Sequence, residues 1–354
     1  MYPALSILQA IGDRASDVLW VGGEGGMEAD LVAANGVPFK SVPAAGVHGV
    51  GFSRLPGNLV KLMKGILASR RILRQFNPDV LLFTGGFVAV PMAIAGIKKN
   101  SLLYVPDIEP GLALRTLARF SDRIALTAAE SFKFFKSAKK LSVTGYPTRR
   151  DFVAVPKNQA RQKLGLNPDL PVLLVVGGSK GAHLINQALL PNLPVLLPEY
   201  QVIHLTGSNE WQECNELKTN LLPELSANYH PYAYLHQEIS HAFSAADLAI
   251  SRAGASILGE LPLVGLPAIL VPYPFAWRYQ KVNAEYLAER GAAIVLENSA
   301  LETGLVPAVK ELFADSSKLA SMSKAMASLA TPEAASLLAD LVCSLGASPA
   351  GGTK

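Results

Sequence analysis

Residues 171–187, "PVLLVVGGSKGAHLINQ", join an apolar strand to a helix through a glycine-rich turn. The continuous apolar run at 173–176 is typical of a strand that is buried on both faces of a parallel sheet. Gly177, Gly178 and Gly181 leave the backbone N–H groups of the turn unobstructed, and a helix start after such a turn favours phosphate. The stretch predicts an α/β fold with an anion site at the carboxyl end of a strand.

Two polar side chains in this turn support either of two interpretations. Ser179 can offer a hydroxyl to a phosphate and Lys180 a positive charge. Alternatively, Ser179 caps the helix and the turn binds nothing. A glycine turn alone does not decide between these alternatives.

Similar apolar strands ending in glycine recur along both halves of the chain, separated by helical patterns. This alternation of strands and helices indicates two doubly wound parallel-sheet domains with a cleft at the carboxyl ends of their strands. We place an N-terminal domain at 1–148, joined by a C-terminal helix at 328–346, and a C-terminal domain at 149–327. We expect a disordered tail at 347–354.

Composition excludes several classes of protein. Half of the residues are hydrophobic and 17% are charged, unlike a disordered or fibrous chain. Cys214 and Cys343 share no metal-like spacing, and we expect neither a disulfide nor a metal or other cofactor. The charge-free run at 80–97 is long enough to span a membrane. Its glycines and proline break it as turns do, so we expect a strand followed by a helix.

The net charge of +4 is divided unevenly. The first 150 residues hold 19 Lys and Arg against 10 Asp and Glu, a net +9, and the remainder holds 13 against 18, a net −5. A basic half suggests an anionic partner, either a membrane or a nucleic acid. No zinc-ligand spacing or aromatic–basic RNA motif accompanies the charge, so we expect no nucleic-acid partner.

A second motif, "SRAGASILGE" at 251–260, again follows an apolar strand. We expect a helix to start near Gly254–Ala255, which puts Ser256 close to the positive end of its dipole. Glu260 lies on the same face as Ser256, one turn further on, where a carboxylate can accept hydrogen bonds from both hydroxyls of a ribose. The alternative is an ordinary solvated glutamate.

A third motif, "PYPFAWRYQKVNAEYL" at 272–287, places Gln280 and Asn283 three residues apart on a helix. Neutral amides suit the hydroxyls or acetamido group of a sugar. Core aromatics followed by a helix start are the alternative.

A basic amphipathic segment at 54–76 contains no acidic residue. Its basic residues are Arg54, Lys61, Lys64, Arg70, Arg71 and Arg74, and its apolar stripe consists of Leu59, Leu62, Met63, Ile66 and Leu67. Such a segment can lie on an anionic membrane surface, at roughly 1 kcal/mol per basic residue. The alternative is a sheet-covering helix with a solvated basic face.

Taken together, the motifs resemble the bacterial peptidoglycan N-acetylglucosaminyltransferases, the MurG family, in order and over nearly the whole chain. The motifs are "MYPALSIL", "MEADLV", "TGGF", "PGLALR", "GYPTRRD", "GGSKGAHLINQ", "SRAGASILGE" and "GLPAILVPYPFAWRYQKVNA". The resemblance implies the two-domain GT-B fold and a metal-independent, inverting transfer of N-acetylglucosamine from UDP-GlcNAc to lipid I, giving lipid II. It also implies a peripheral protein on the cytoplasmic face of the cell membrane, with the acceptor and membrane sites in the N-terminal domain.

The resemblance assigns roles residue by residue. On the donor side it gives Arg149, Gly178, Ser179, Lys180, His236, Ala255, Ser256, Glu260, Gln280 and Asn283. Within that set Glu260 matches the ribose carboxylate, Ser179 meets the diphosphate, and the backbone at His236 matches a uracil contact. On the acceptor side it gives Gly85, Gly86 and Asp107.

Two departures from the family pattern affect the chemistry that we expect. The family's "HEQN" is "YVPD" at 104–107, so Asp107 stands where the family has Asn and is only a weak candidate for the general base, which stays unassigned. The family's first strand and "GGTGGH" loop have no counterpart before Tyr2, and we expect them to be encoded upstream of Met1. Three alternatives stay open: transfer to another lipid acceptor, a UDP-sugar 2-epimerase, and an inactive UDP-sugar-binding relic.

Overall fold

The structure, a computed structural model, describes residues 1–25, 28–44, 55–177, 182–274 and 279–347. The chain divides into two compact units. Unit 1 is formed by Met1–Arg149 together with Glu333–Lys354, and unit 2 by Arg150–Pro332. Residues 348–354 of the predicted tail lie outside the described ranges.

Unit 1 is built from parallel strands covered by helices. Its strands are β1 Trp20–Gly23, β2 Phe39–Val42, β3 Val80–Phe83, β4 Asn100–Val105, β5 Arg123–Leu126 and β6 Leu141–Val143. Its α-helices are α1 Tyr2–Ile11, α2 Glu28–Ala34, α3 Leu55–Phe76, α4 Ala89–Ala95, α5 Leu112–Leu117 and, from the end of the chain, α16 Ala334–Gly346. Its 3-10 helices are Gly12–Arg14, Ala129–Phe134 and Ala138–Lys140.

The strands of unit 1 form two separate sheets. β1 pairs with β2, and the other four strands pair in the order β3-β4-β5-β6. β4 is buried along nearly its whole length, as expected for an inner strand covered on both faces. α16 packs on α1 and against β3 and β4, and the Asn100 side-chain amide donates to the Leu345 carbonyl over 2.8 Å. The last helix of the chain is therefore part of the N-terminal unit.

Helix α3 packs against the rest of unit 1 along only part of its surface. Gly65 permits the close approach, because a Cβ at this position would lie 2.3 Å from the Pro43 carbonyl oxygen. Further along, Ile72 and Leu73 join the core beside Phe83. Among the described residues no helix is both long enough and apolar enough to cross a membrane. The charge-free run at 80–97 instead contains strand β3 and the short helix α4.

Unit 2 repeats the same architecture on a larger sheet. Its strands are β7 Val172–Val176, β8 Gln201–Leu205, β9 Tyr229–Tyr232, β10 Leu248–Ser251, β11 Ala268–Leu270 and β12 Ala293–Val295. Its α-helices are α6 Lys157–Lys163, α7 His183–Leu189, α8 Leu193–Leu196, α9 Trp211–Asn220, α10 Pro223–Ser226, α11 Ile239–Ala245, α12 Ile257–Val264, α13 Tyr279–Ala288, α14 Leu301–Ala314 and α15 Ser316–Ala327. Its 3-10 helices are Leu190–Asn192 and Asn298–Ala300.

The six strands of unit 2 are all parallel and lie in the order β12-β11-β10-β7-β8-β9. The chain moves outward from β7 in one direction, then returns to β10 and moves outward in the other. This is a doubly wound sheet whose strand order reverses between β7 and β10. The parallel sheets and their helices confirm the α/β class predicted from the sequence.

Candidate functional site

The strand-order reversal in unit 2 brings two sequence motifs to one place. β7 pairs directly with β10, with Val176 opposite Ser251 at their carboxyl ends. Ligands of doubly wound sheets bind in the crevice outside such a switch point. The glycine-rich turn follows β7 and the 251–260 motif follows β10, so both begin at this edge. Three predicted donor residues, Gly178, Ser179 and Lys180, lie outside the described residues.

Helix α12 begins slightly later than the sequence predicts. Its first helical residue is Ile257, with Ser256 at the N-cap, whereas the pattern placed the start at Gly254–Ala255. The preceding residues form a tighter turn, in which the Ile257 N–H donates to the Gly254 carbonyl over 3.2 Å. Such i→i+3 bonds are common in the first turn of a helix.

The first turn of α12 is the accessible part of a buried helix. Ile257, Leu258 and Leu261 are at most 5% exposed, whereas Ser256 and Glu260 are half-buried. The Glu260 N–H donates to the Ser256 carbonyl over 2.9 Å, so the two residues lie one turn apart on the same helix face. A hydroxyl and a carboxylate therefore flank the positive end of the α12 dipole, where anions are stabilised.

Arg252, which the sequence analysis did not single out, organises the loop after β10. Its guanidinium donates to the Val271 carbonyl over 3.2 Å and to Asn298 Oδ1 over 2.8 Å, and lies 5.4 Å from the centre of the Tyr273 ring. Burial lowers the pKa of Arg252 from its ordinary value. The sequence did contain a signal for this role. Arg252 stands between a buried strand and a glycine, and a charged side chain in such a position needs internal partners.

The two amides of the third motif have different surroundings. Gln280 is half-buried, and its Oε1 accepts a 2.9 Å hydrogen bond from the Tyr273 N–H. Asn283 is 0% exposed, and its side-chain amide donates to the Ala253 carbonyl over 3.1 Å. Asn283 therefore ties α13 to the loop before α12. Its complete burial argues against the predicted direct contact with a sugar.

His236 lies in the segment between β9 and α11. Its side chain is exposed, and its ring meets the Tyr234 ring edge to face with centroids 4.6 Å apart. His236 therefore lies in a surface loop, and its backbone contact with uracil stays a prediction.

Arg149 is the last residue of Met1–Arg149, the first of the two chain segments that form unit 1. It is half-buried, and its guanidinium carbon lies 5.2 Å from the centre of the Tyr2 ring, within range of a cation–π interaction. Gly85 and Gly86 follow β3 with φ values of +110° and +86°, which L side chains rarely adopt. This turn thus requires its glycines for conformational reasons alone.

The "YVPD" segment ends strand β4. The Tyr104 hydroxyl lies 2.9 Å from Thr127 Oγ1, and burial raises the pKa of Tyr104 well above its ordinary value. Tyr104 therefore stays protonated and serves as a structural group that joins β4 to β5. Asp107 is half-buried beyond the strand end, and its role as a base stays a prediction.

The apolar stripe predicted on α3 is only partly correct. Leu59, Met63 and Leu67 are 55%, 54% and 61% exposed, and Val60, which the prediction left out, is 54% exposed. Ile66, by contrast, is 8% exposed. The helix packs on unit 1 through Ile66, so the exposed apolar face is rotated from the predicted one. Lys61, Lys64, Arg70 and Arg71 are exposed, and Arg54 lies outside the described residues.

Comparison with known proteins assigns both units to the same family of sequences. Residues 1–126 match the glycosyltransferase family 28 N-terminal domain and residues 172–338 match its C-terminal domain. Two curated relatives carry the name UDP-N-acetylglucosamine--N-acetylmuramyl-(pentapeptide) pyrophosphoryl-undecaprenol N-acetylglucosamine transferase. The Roseiflexus sp. relative is 39% identical over 92% of this chain and 82% of its own, and the Desulforudis audaxviator relative is 38% identical over 97% and 94%.

Solved structures share the fold. The Acinetobacter baumannii MurG crystal structure has a TM-score of 0.75 at 23% identity, over 96% of this chain and 95% of that one. A UDP-GlcNAc 2-epimerase from Neisseria meningitidis bound to UDP-GlcNAc has a TM-score of 0.66 at 13% identity, over 97% and 96%. The fold is therefore common to a transferase and an epimerase, and cannot by itself separate these two activities.

Proposed function

The chain belongs to the MurG family of glycosyltransferases, and from that premise we propose that it transfers N-acetylglucosamine from UDP-N-acetylglucosamine to lipid I, giving lipid II. Lipid I is the N-acetylmuramyl-(pentapeptide) pyrophosphoryl-undecaprenol that the relatives' name specifies. The chain spans most of the length of both curated relatives, and both family domains are present. The proposal therefore concerns the whole reaction.

One observation in unit 2 carries the donor half of the proposal. The loops after β7 and β10 begin side by side at the switch point, and the accessible first turn of α12 presents Ser256 and Glu260 there. In this proposal Ala255, Ser256 and the residues at 178–180 hold the diphosphate, and Glu260 accepts hydrogen bonds from the ribose. Gln280 contacts the sugar, while Asn283 positions the loop before α12 rather than contacting the donor.

The proposed chemistry is a single displacement. An acceptor hydroxyl attacks the anomeric carbon and gives its proton to the general base, which stays unassigned. The bond to the diphosphate oxygen breaks, UDP leaves, and the configuration inverts. The positive end of the α12 dipole stabilises the charge that develops on the leaving UDP, with Lys180 as a further cationic group. A fixed dipole and fixed charges act here as a bound cation would in another enzyme.

Only the shared fold supports the 2-epimerase alternative. The curated relatives at 38–39% identity are named as transferases, whereas the epimerase likeness is at 13% identity. An epimerase would change UDP-GlcNAc with no acceptor present, while a transferase needs one. This difference gives a direct experiment.

The test incubates the purified chain with radiolabelled UDP-GlcNAc and lipid I in anionic vesicles. We expect label in the lipid fraction and one UDP released per sugar transferred, with neither product when lipid I is omitted. Conversion of UDP-GlcNAc to its 2-epimer without lipid I would contradict the proposal. Binding of UDP without either reaction would point to an inactive relic.

We also propose that unit 1 docks on the cytoplasmic face of the cell membrane through α3. The docking face consists of Leu59, Val60, Met63 and Leu67 with Lys61, Lys64, Arg70 and Arg71. Its four apolar residues are more than half exposed, and its four basic residues are exposed beside them. Exposed apolar side chains next to exposed basic side chains suit an anionic headgroup boundary. This surface would keep the enzyme where a lipid-linked acceptor lies.

A further inference from the structure

A continuous chain of buried polar side chains runs through unit 2, outside the donor residues described above. His204 on β8 lies at its centre, with Nδ1 2.8 Å from the Tyr229 hydroxyl and Nε2 3.0 Å from Asn186 Oδ1. His204 and Tyr229 are 0% exposed and Asn186 is 1% exposed. Such a network is stable only if each member has a partner.

The hydrogen bonds in this chain all run in one direction. The Asn186 side-chain amide donates to the Thr206 carbonyl over 3.0 Å and to the Glu210 carboxylate, so Asn186 Oδ1 is its acceptor end. His204 must therefore donate to it from Nε2. Burial lowers the pKa of His204 to about 3, so the ring is neutral and its Nδ1 accepts from the Tyr229 hydroxyl. The side-chain donors of Tyr229, His204 and Asn186 therefore form one path that ends at the Glu210 carboxylate.

The Glu210 carboxylate contacts two side chains from the first turn of α7. One carboxylate oxygen contacts Asn186 Nδ2, and the other contacts Nδ1 of His183, the first residue of α7. Glu210 itself is the N-cap of α9. The chain of hydrogen bonds thus fixes the start of α7 against the end of β8 and the start of α9. In the sequence, α7 directly follows the glycine-rich turn at 177–181.

We propose that His204 is a positioning residue for the donor diphosphate, acting through Asn186 on the start of α7. The inference rests on the proposed function, which assigns the diphosphate to the turn that precedes α7. His204 cannot touch a substrate, because it is 0% exposed. It orients the Asn186 amide, and Asn186 holds the helix whose preceding turn receives the phosphates.

The experiment compares three variants by donor kinetics and by binding. His204→Leu removes the donor to Asn186, and we expect KM for UDP-GlcNAc to rise about tenfold with little change in kcat. His204→Gln keeps an N–H near the position of Nε2 and should restore KM to within about twofold. Tyr229→Phe is the matched control, since it removes one buried hydrogen bond on the other side of the ring. It should lower the melting temperature and leave KM unchanged.

A binding measurement separates positioning from general destabilisation. By NMR titration, His204→Leu should weaken UDP binding while uridine, which lacks phosphates, binds as tightly as to the parent chain. Glu210→Ala, nearer the surface at 15% side-chain exposure, should weaken UDP binding in the same way, by about threefold. It serves as the test if His204→Leu does not fold.

Equal effects of Tyr229→Phe and His204→Leu on KM, or equal losses of UDP and uridine affinity, would overturn the inference. So would an unchanged UDP affinity in folded Glu210→Ala. Failure of the proposed function would look different, because the parent chain itself would then neither bind UDP nor transfer the sugar.

Discussion

The two units share one architecture but differ in two local features, an exposed apolar helix face and a buried polar network. Unit 1 exposes four large apolar residues on one helix, α3, beside exposed basic side chains. Unit 2 contains all five histidines of the described residues, His183, His204, His230, His236 and His241. It also buries a hydrogen-bonded chain of polar groups that joins α7 to β8 and β9. A parallel sheet covered by helices is thus compatible with either arrangement.

This contrast indicates two kinds of partner. An apolar face flanked by positive charge suits an extended anionic surface, since neither charge nor apolar area is directed at a particular atom. The accessible first turn of an otherwise buried helix suits a small anionic ligand, because its position is fixed by the packing around it. The predictions below test this division between α3 of unit 1 and α12 of unit 2.

The largest effect should come from neutralising the docking face. Replacing Lys61, Lys64, Arg70 and Arg71 with Gln should weaken binding to anionic vesicles by up to about 4 kcal/mol, at roughly 1 kcal/mol per charge. Vesicle sedimentation measures the affinity. The loss should shrink as salt rises, because exposed charges are screened beyond about 10 Å at 0.1 M.

The matched control replaces four other basic residues of unit 1, Lys98, Lys133, Lys136 and Lys139, with Gln. These are exposed as well, so the net charge changes equally. Equal losses in the two quadruple variants would show that general positive charge, rather than α3, draws the chain to the membrane.

The next effect concerns the ribose carboxylate. Glu260→Ala should weaken UDP binding by about 1–3 kcal/mol, the range for a hydrogen bond to a charged group. Calorimetry measures the affinity. Glu302→Ala is the control, because Glu302 is also in the first turn of a helix of unit 2, α14. Unchanged UDP affinity in a folded Glu260→Ala variant would remove Glu260 from the site.

Acid should destabilise unit 2 through two histidines, His204 and His230. Burial lowers the pKa of His204 to about 3 and of His230 to about 4, below their ordinary value of 6.5. The unfolded chain therefore binds more protons below pH 6.5, and stability present above that pH is lost as the pH falls. Each histidine lowers the free energy of unfolding by up to about 1.4 kcal/mol per pH unit in that window.

Hydrogen exchange at about pH 7 and about pH 5, corrected for intrinsic rates, locates the loss. Protection should fall more in unit 2 than in unit 1, where the described residues include no histidine. An equal fall in both units would contradict this assignment.

The smallest effect distinguishes two neighbours on α3. Met63→Ser should weaken vesicle binding by about 1 kcal/mol through lost apolar contact and leave the melting temperature unchanged, since Met63 is 54% exposed. Ile66→Ser should instead lower the melting temperature, because Ile66 is 8% exposed and packs on unit 1. The opposite assignment of effects would mean that α3 faces the other way.

Local patterns predicted the fold class and the positions of the strands that carry the motifs. Continuous apolar runs ending in glycine correctly gave strands at β7 and β10, because burial on both faces leaves little choice of residue. The pattern on α3 failed at Ile66, because a helix with apolar residues on two faces does not reveal which face the rest of the protein covers.

The candidate site was less predictable than the fold. Spacing placed Gln280 and Asn283 on one helix face, but it could not show that Asn283 is completely buried against the Ala253 carbonyl. The role of Arg252 depends on contacts with Val271 and Asn298, which are distant in sequence. Side-chain contacts between separate elements are set by tertiary packing, and one sequence carries no direct signal of them.

The most direct test of the division between α3 and α12 measures transfer to two acceptors. One is lipid I in anionic vesicles, and the other is a water-soluble lipid I analogue with a short chain. The docking-face variant, with Gln at Lys61, Lys64, Arg70 and Arg71, should lose activity on vesicles and keep parental kcat/KM on the soluble acceptor, whereas Glu260→Ala should lose activity on both. Equal loss of the docking-face variant on both acceptors would contradict the account.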